Sequence, residues 1–415
     1  MTHIIYNIII RIYGLMIQLS SLFNEKAKDW IKGRENLFPE LKQKVNNLNP
    51  GKRIWFHCAS LGEFEQARPL LERIKIKHPN TQIILSFFSP SGYNIRKNYS
   101  YADLVCYLPL DTPNNAIEFI KIIQPHSAIF IKYEFWYNYL IELNKKNIPV
   151  AFVSLIIREN HYLTKWYSTW FRRQLEKTNV FLTQDEDTKL LLESWNFKNV
   201  IKSGDTRFDR VSDQKKNISE LPLIKNFKAN RKLIVCGSTW QKDIEFIEQY
   251  LNNSKQDFSK WAWVIAPHNI NANEIQDVTR RFDKFNCGLY SEGKTNNLNL
   301  LIIDNIGMLS SIYSYGEIAI IGGGFGSGIH NILEPAVFGL PTLFGPKYQK
   351  FKEALELIKL GGAITYSSHN EFSKAFDLLL DDSERQLKST ICSNYVSRNI
   401  GACEIALNSI IPKIS

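Results

Sequence analysis

The sequence predicts an α/β fold of two doubly wound domains, and three observations carry that prediction. Short apolar runs of strand length alternate with amphipathic stretches of helix length, the pattern of parallel strands covered by helices on both faces. The alternation stops at a polar stretch, "DRVSDQKKNISELPLIKNFKANRK", residues 209–232, and then restarts. The chain's 415 residues exceed what one hydrophobic core usually organises, so two domains of roughly 200 residues each are expected.

The first element is the apolar, aromatic opening "MTHIIYNIIIRIYGLMIQLSSLF". Arg11 interrupts it, and its unbroken runs fall short of the ~20 residues of a clean span, so residues 1–23 read as an anchor or interfacial helix. A core helix of the first domain is the open alternative, and whether an anchor spans or lies on the membrane stays undecided. No basic region precedes the apolar stretch and no small-x-small site follows it, which argues against a signal peptide. Lys26, Lys28, Lys32 and Arg34 come next and by the positive-inside tendency leave the body in the cytoplasm. Residues 1–53 hold nine Lys/Arg against four Asp/Glu, half of the net +10, so an anionic partner is expected at that end. No helix-turn-helix, zinc-finger or RNA-platform signature accompanies the charge, so a membrane surface is favoured over nucleic acid. The six cysteines show no CxxC pair and read as small core hydrophobes in a reducing compartment, without a zinc site.

In the first half the strand-like runs are "RIWFHCAS", "QIILSFF", "LVCYLPL", "SAIFI", "VAFVSL" and "VFLTQ". In the second half they are "KLIVCGS", "WAWVIAP", "LLIID", "IAIIGGG" and "PTLFG", followed by a long helical region from about Asp382. The expected organisation is 1–23 as membrane-associated helix, 24–210 as the first α/β domain and 211–415 as the second, the final helix packing back on the first domain. Ligands of doubly wound sheets bind beyond the carboxyl ends of strands, so loops of two facing domains are expected around one cleft.

The loop after "IWFHCAS" carries Ser60, Gly62 and Glu63 at the mouth of a helix, where a carboxylate is stabilised as its anion. Ser60 and Glu63 also match the S-x-x-E capping box, so a purely structural role stays open. In "IAIIGGGFGSGIHNILEPAVFGLPTLFGP", residues 318–346, a strand runs into a Gly-rich loop and a helix, a phosphate-binding design that is neither a P-loop nor a clean G-x-G-x-x-G. His330 and Glu334, four apart, are expected on one face of that helix, Glu334 within reach of ribose hydroxyls; a capping histidine and a solvated glutamate are the alternatives. Three further loops follow strands: "KYEFWYN" with Glu134, "SGDTRFD" with Arg207, and "APHNI" with Pro267 and His268. The segment "RENHYLTKWYSTWFRRQLEK", from Arg158 to Lys177, mixes aromatic and basic residues, as suits a lipid interface or an ordinary amphipathic core helix.

Taken in order, "HCASLGEFEQARPL", "KYEFWYN", "SGDTRFD", "APHN" and "GGGFGSGIHNILEPAVFGLPTLFGP" resemble the motifs of 3-deoxy-D-manno-octulosonic acid (Kdo) transferases of lipopolysaccharide synthesis, across nearly the whole chain. The resemblance implies a GT-B fold, two Rossmann-like domains facing a central cleft. It implies transfer of Kdo from CMP-Kdo to a lipid A precursor by inverting displacement, without metal or cofactor, at the cytoplasmic side of the inner membrane. The glutamate matching Glu63 is the family's proposed base. Ser60, Gly62, Glu134 and Arg158 become the expected acceptor contacts; Arg207, Pro267, His268, Gly326, Gly328, His330, Asn331 and Glu334 become the expected donor contacts.

The chain also departs from the family. Its E-T-E reads Lys132-Tyr133-Glu134 here, its G-S-x-K reads Gly204-Asp205-Thr206-Arg207, and its P-R-H reads Pro267-His268-Asn269. Arg207 is kept as a bidentate clamp for phosphate or carboxylate. The alternatives are another GT-B nucleotide-sugar transferase or epimerase, and a non-catalytic membrane-bound nucleotide-sugar sensor.

Overall fold

In the computed structural model, which describes residues 2–254 and 257–414, the chain divides into two units, Met1–Arg210 with Ile400–Ser415, and Val211–Asn399. Each unit holds one parallel sheet of seven strands among its described residues.

The first sheet comprises β1 (Arg53–Cys58), β2 (Gln82–Phe87), β3 (Leu104–Tyr107), β4 (Ser127–Ile131), β5 (Val150–Leu155), β6 (Val180–Thr183) and β7 (Val200–Lys202), in the order β3-β2-β1-β4-β5-β6-β7. Both faces are buried, which is why the strands read as unbroken apolar runs. On one face Trp55, Phe130, Phe152 and Phe181 form a row, the last three ring-stacked at 5.5 and 5.7 Å. On the other, Phe56, Ile129, Val153 and Leu182 pack with Phe64 and Ile74 of helix Leu61–Lys77 and with Cys403 and Ile410 of the last helix, Ala402–Ile414. The strand order reverses between β1 and β4, so the loops after these two strands open apart and leave room for a ligand.

The second sheet comprises β8 (Lys232–Thr239), β9 (Trp261–Pro267), β10 (Cys287–Leu289), β11 (Leu300–Ile302), β12 (Ile318–Ile321), β13 (Thr342–Phe344) and β14 (Ala363–Thr365), ordered β10-β11-β9-β8-β12-β13-β14. Its reversal lies between β8 and β12.

Several expectations change. The polar stretch at 209–232 is mostly helix, Thr206–Lys216 and Pro222–Lys228, because a charged segment with few breakers can hold helical bonds with one face covered. The final helical region breaks at Gly401, φ +118°, into Asp382–Arg398 and Ala402–Ile414. Helix Thr2–Ser20 is not a core helix: Ile4, Ile5, Ile8, Ile9, Ile12 and Met16 are exposed. Its other face is tied down. Tyr6 donates to Asp111 Oδ2 at 2.5 Å, Asn138 donates to Asn7 Oδ1 at 2.9 Å, and Tyr13 stacks on Phe88. A Cβ at Gly14 would come within 2.7 Å of Leu110, so helix and sheet edge approach closely there. The segment 158–177 is not one amphipathic helix either. Two 3-10 turns precede a short helix, Thr169–Leu175, leaving Trp166 87% exposed while Phe171 is buried.

Candidate active site

At the reversal of the first sheet, β1 ends and helix Leu61–Lys77 begins at Ser60. The Ser60 hydroxyl makes no cap bond to the helix backbone; it donates to Glu63 Oε2 instead. Lys132, just past β4, brings its Nζ to 3.3 Å from Glu63 Oε1. The capping-box reading is therefore corrected: a reciprocal box would turn both side chains onto the backbone, and here the serine holds the carboxylate. Burial pushes the Glu63 pKa up, but the Lys132 charge and the Ser60 hydrogen bond outweigh it and hold the carboxyl below its ordinary value. Gly62 occupies the first turn beside Ser60. Glu65 is held between Arg96 at 3.0 Å and Arg210 at 2.9 Å.

Glu134 lies in the loop after β4. Trp136 Nε1 donates between Glu134 Oε2 and His57 Nε2, 3.0 Å from each, and His57 Nδ1 meets Ser86 Oγ at 2.8 Å. Since Nε2 faces a donor, the His57 ring proton belongs on Nδ1. Trp55 Nε1 donates to the same Ser86 oxygen at 2.7 Å. A buried chain of hydrogen bonds thus holds Glu134 from beneath. Arg158 is exposed in the segment that follows β5.

Arg207 belongs to the first unit. Its Nε and Nη2 grip Asp205 Oδ2 at 2.9 and 2.7 Å, while Gln66 of the Glu63 helix donates to Asp205 Oδ1 at 3.2 Å. The expected clamp already embraces a carboxylate of its own chain.

At the reversal of the second sheet, three rings gather. Trp240 after β8 stacks on His268 at 4.4 Å, His268 lies 4.6 Å from His330, and Trp240 Nε1 donates to His330 Nε2 at 3.1 Å. Burial and the neighbouring His268 push the His330 pKa down to about 4, so at neutral pH it is an uncharged ring. Asp243 Oδ2 accepts from Trp240 N at 2.9 Å and from Gly323 N at 3.0 Å, joining the β8 turn to the glycine loop. That loop lies tight on its neighbours: a Cβ at Gly322 would meet Ser238 O at 2.1 Å, and one at Gly324 the Gly345 nitrogen at 2.6 Å. Pro267 ends β9; Gly326 and Gly328 lie in the loop, Gly328 at φ +140°.

His330 and Glu334 do not share a helix face, because the helix is only Leu333–Ala336. Pro335 disfavours an earlier start: a helix already running at Asn331 would need an N–H at 335 to bond the Asn331 carbonyl, and proline has none. Asn331 instead accepts from Leu333 N and donates to Glu334 Oε1, both at 3.1 Å. Four residues supply little dipole, and the N–H groups of Gly322, Gly323 and Gly326 already donate to Gly237 O, Asp243 Oδ2 and Gly323 O, so the loop's capacity for an anion rests on its other N–H groups. Beside the rings, Thr239, Trp240, Pro267, Asn271 and Arg281 line a cavity of about 420 Å³. Among the described residues no group of three or more His, Cys, Asp or Glu is arranged to hold a metal ion.

Sequence reasoning assigned no role to Lys132, His57, Trp136, Trp240 or Asp243. Lys132 and Trp240 sit just after strands, the position that singled out the other loops. His57 lies within a strand and carries no such signal.

Residues 32–210 match the family described as 3-deoxy-D-manno-octulosonic-acid transferase. The chain is 27% identical over 314 residues to the Kdo transferase of Aquifex aeolicus, covering 75% of this chain and 80% of the relative. With the Haemophilus influenzae Kdo transferase it shares 25% over 378 residues, 88% and 87% of the two chains. Among solved structures, UDP-GlcNAc 2-epimerase from Neisseria meningitidis superposes with a TM-score of 0.60 at 14% identity, over 87% of this chain and all of that one. MurG of Acinetobacter baumannii does so at 0.53 and 10% identity, over 86% and 98%. At such identities these structures speak for the GT-B fold alone.

Proposed function

We propose that this chain, a relative of Kdo transferases over most of its length, is a glycosyltransferase that moves Kdo from CMP-Kdo to a lipid A precursor. The observation that carries the reading is Glu63, an ionised, largely buried carboxylate at the reversal of the first sheet, within the residues matched to the Kdo transferase family.

In the proposed step an acceptor hydroxyl oxygen attacks the anomeric carbon of Kdo while its proton passes to Glu63. The bond from that carbon to the phosphate oxygen breaks, and CMP departs with the electron pair, giving inversion. Loop N–H groups of residues 324, 325, 327 and 328 stabilise the departing phosphate, those of Gly322, Gly323 and Gly326 being bonded within the chain, and the faces of Trp240 and His268 offer stacking to the base. Ser60 and Gly62, with Glu134 on its buried support, border the acceptor side. Arg158 supplies a charge there. Pro267, His330, Asn331 and Glu334 shape the donor side. Arg207, engaged with Asp205, acts by holding the 203–209 turn rather than by direct phosphate contact.

Helix Thr2–Ser20 meets the length and composition of a membrane span, with none of its apolar window buried. Because Tyr6, Asn7, Tyr13 and Gly14 fasten it to the first unit along its length, we place it in the plane of the membrane surface, the catalytic units on the cytoplasmic side.

The test is mass spectrometry of the detergent-solubilised protein with freshly made CMP-Kdo and a tetraacylated lipid A precursor, Glu63→Gln alongside. Product from wild type, with turnover in the variant reduced by about 10²–10⁴, is expected. Near-normal turnover of Glu63→Gln removes the base assignment. Nucleotide binding without product from either protein turns the reading toward another donor or a sensor.

A further inference from the structure

Lys132 adopts a backbone conformation that lysine seldom takes, φ +59°. Its N–H donates to the Val153 carbonyl at 2.8 Å, so β5 fixes the residue in that state, and its Nζ ends 3.3 Å from Glu63 Oε1. Strained backbone that points one charge at another, where a sheet reverses its order, is arranged by the fold around it.

The other charged groups about Glu63 do not duplicate this contact. On its own helix Glu65 is answered by Arg96 and Arg210. From β1, the Cys58 thiol is kept protonated by burial and by the carboxylates of Glu63, Glu134 and Glu65. In the loop after β4, Glu134 accepts from Trp136 and stands 3.7 Å from His57. Without Lys132, Glu63 would face the cost of burial with hydrogen bonds alone to offset it, that of Ser60 first.

We propose that Lys132 is the positioning residue of the Glu63 base, its ammonium fixing the carboxylate's orientation and keeping it ionised so that turnover persists to lower pH than a buried, unpaired glutamate allows. The inference rests on the reading of Glu63 as base. In the transfer step the acceptor proton goes to a carboxylate oxygen of Glu63, each of which keeps a lone pair beyond its contact with Lys132 or Ser60, and Lys132 holds its own protons throughout. The lowered Glu63 pKa agrees with the contact.

The experiment is kcat/KM against pH for wild type, Lys132→Met, Lys132→Arg and Glu63→Gln, each checked for its thermal midpoint. Loss of the cation is expected to move the acid limb of Lys132→Met upward by about one to three pH units, the effect of an opposite charge at this range. Lys132→Arg should leave the limb in place, since it keeps the charge. A structural role alone would lower rates evenly without moving the limb. An unmoved limb in Lys132→Met, with Glu63→Gln inactive, overturns the proposal and spares the base. Near-normal turnover in Glu63→Gln defeats the base reading and the proposal with it. Lys132→Gln, which keeps length and a hydrogen-bond donor without charge, reads the same shift if the methionine variant does not fold.

Discussion

Glu63 and Glu65 stand two positions apart on one helix, a spacing that turns their side chains to different faces. One meets Ser60 and Lys132; the other is locked between two arginines. Glu65→Gln is accordingly expected to lower stability more than turnover, by about 1–3 kcal/mol for breaking partly buried pairs, read by denaturant unfolding beside the transfer assay. Asp243 is the matching case in the second unit. Its Oδ2 serves two backbone donors, and burial pushes its pKa up to about 6 from an ordinary 3.8. Between those values the folded chain holds a proton that the unfolded chain has released, so this group's stabilising contribution is full below about pH 4 and is lost as pH rises through about 6. Asp243→Asn keeps an acceptor for Trp240 and Gly323 without the titration. The variant's thermal midpoint, compared with wild type from pH 4 to 7, is expected to lack that loss.

Among the elements, the last helix, Ala402–Ile414, depends on one remote cap. Asp209 accepts from Gly401 N at 3.2 Å and Cys403 N at 3.4 Å, supplying the acceptor that the helix start lacks locally. Cys403 is fully buried against the first sheet. Asp209→Ala is expected to cost about 1–2 kcal/mol and to speed labelling of Cys403 by a thiol reagent under native conditions. Unchanged labelling would mean that the apolar face of the helix suffices to hold it. The glycine loop depends instead on close approach. With the Gly345 backbone 2.6 Å from where a Cβ would stand, Gly324→Ala must displace either the loop or the end of β13, and weaker CMP binding by calorimetry is the expected result.

Across the molecule as a whole, the basic excess of the first 53 residues adjoins the exposed stripe Ile5, Ile9, Ile12 and Met16, with Phe23 93% exposed at its end. Such a stripe together with cations suits an anionic bilayer surface. In flotation assays the full chain is expected to bind vesicles containing anionic lipid, less so at high salt, and replacing those four stripe residues by serine should release it without loss of fold. Binding unaffected by the four serines would move the contact to another surface, Trp166 and Tyr167 being the exposed aromatic pair to test.

Length, alternation and the polar interruption were enough to read two parallel α/β domains, because strands buried on both faces leave long apolar runs that no tertiary detail can hide. Three-residue edge strands, β7, β10 and β14, escaped that reading: they are short and partly exposed, and so carry little pattern. Local motifs likewise exposed Glu63 and the glycine loop, since both sit directly after strands. Contacts that span the sequence left no such trace. Lys132 lies 69 positions from Glu63, and Trp240 lies 90 from His330. Local pattern reports which face of an element is buried; only the order of strands in the sheet decides which loop ends meet, and with them the charge state of the proposed base.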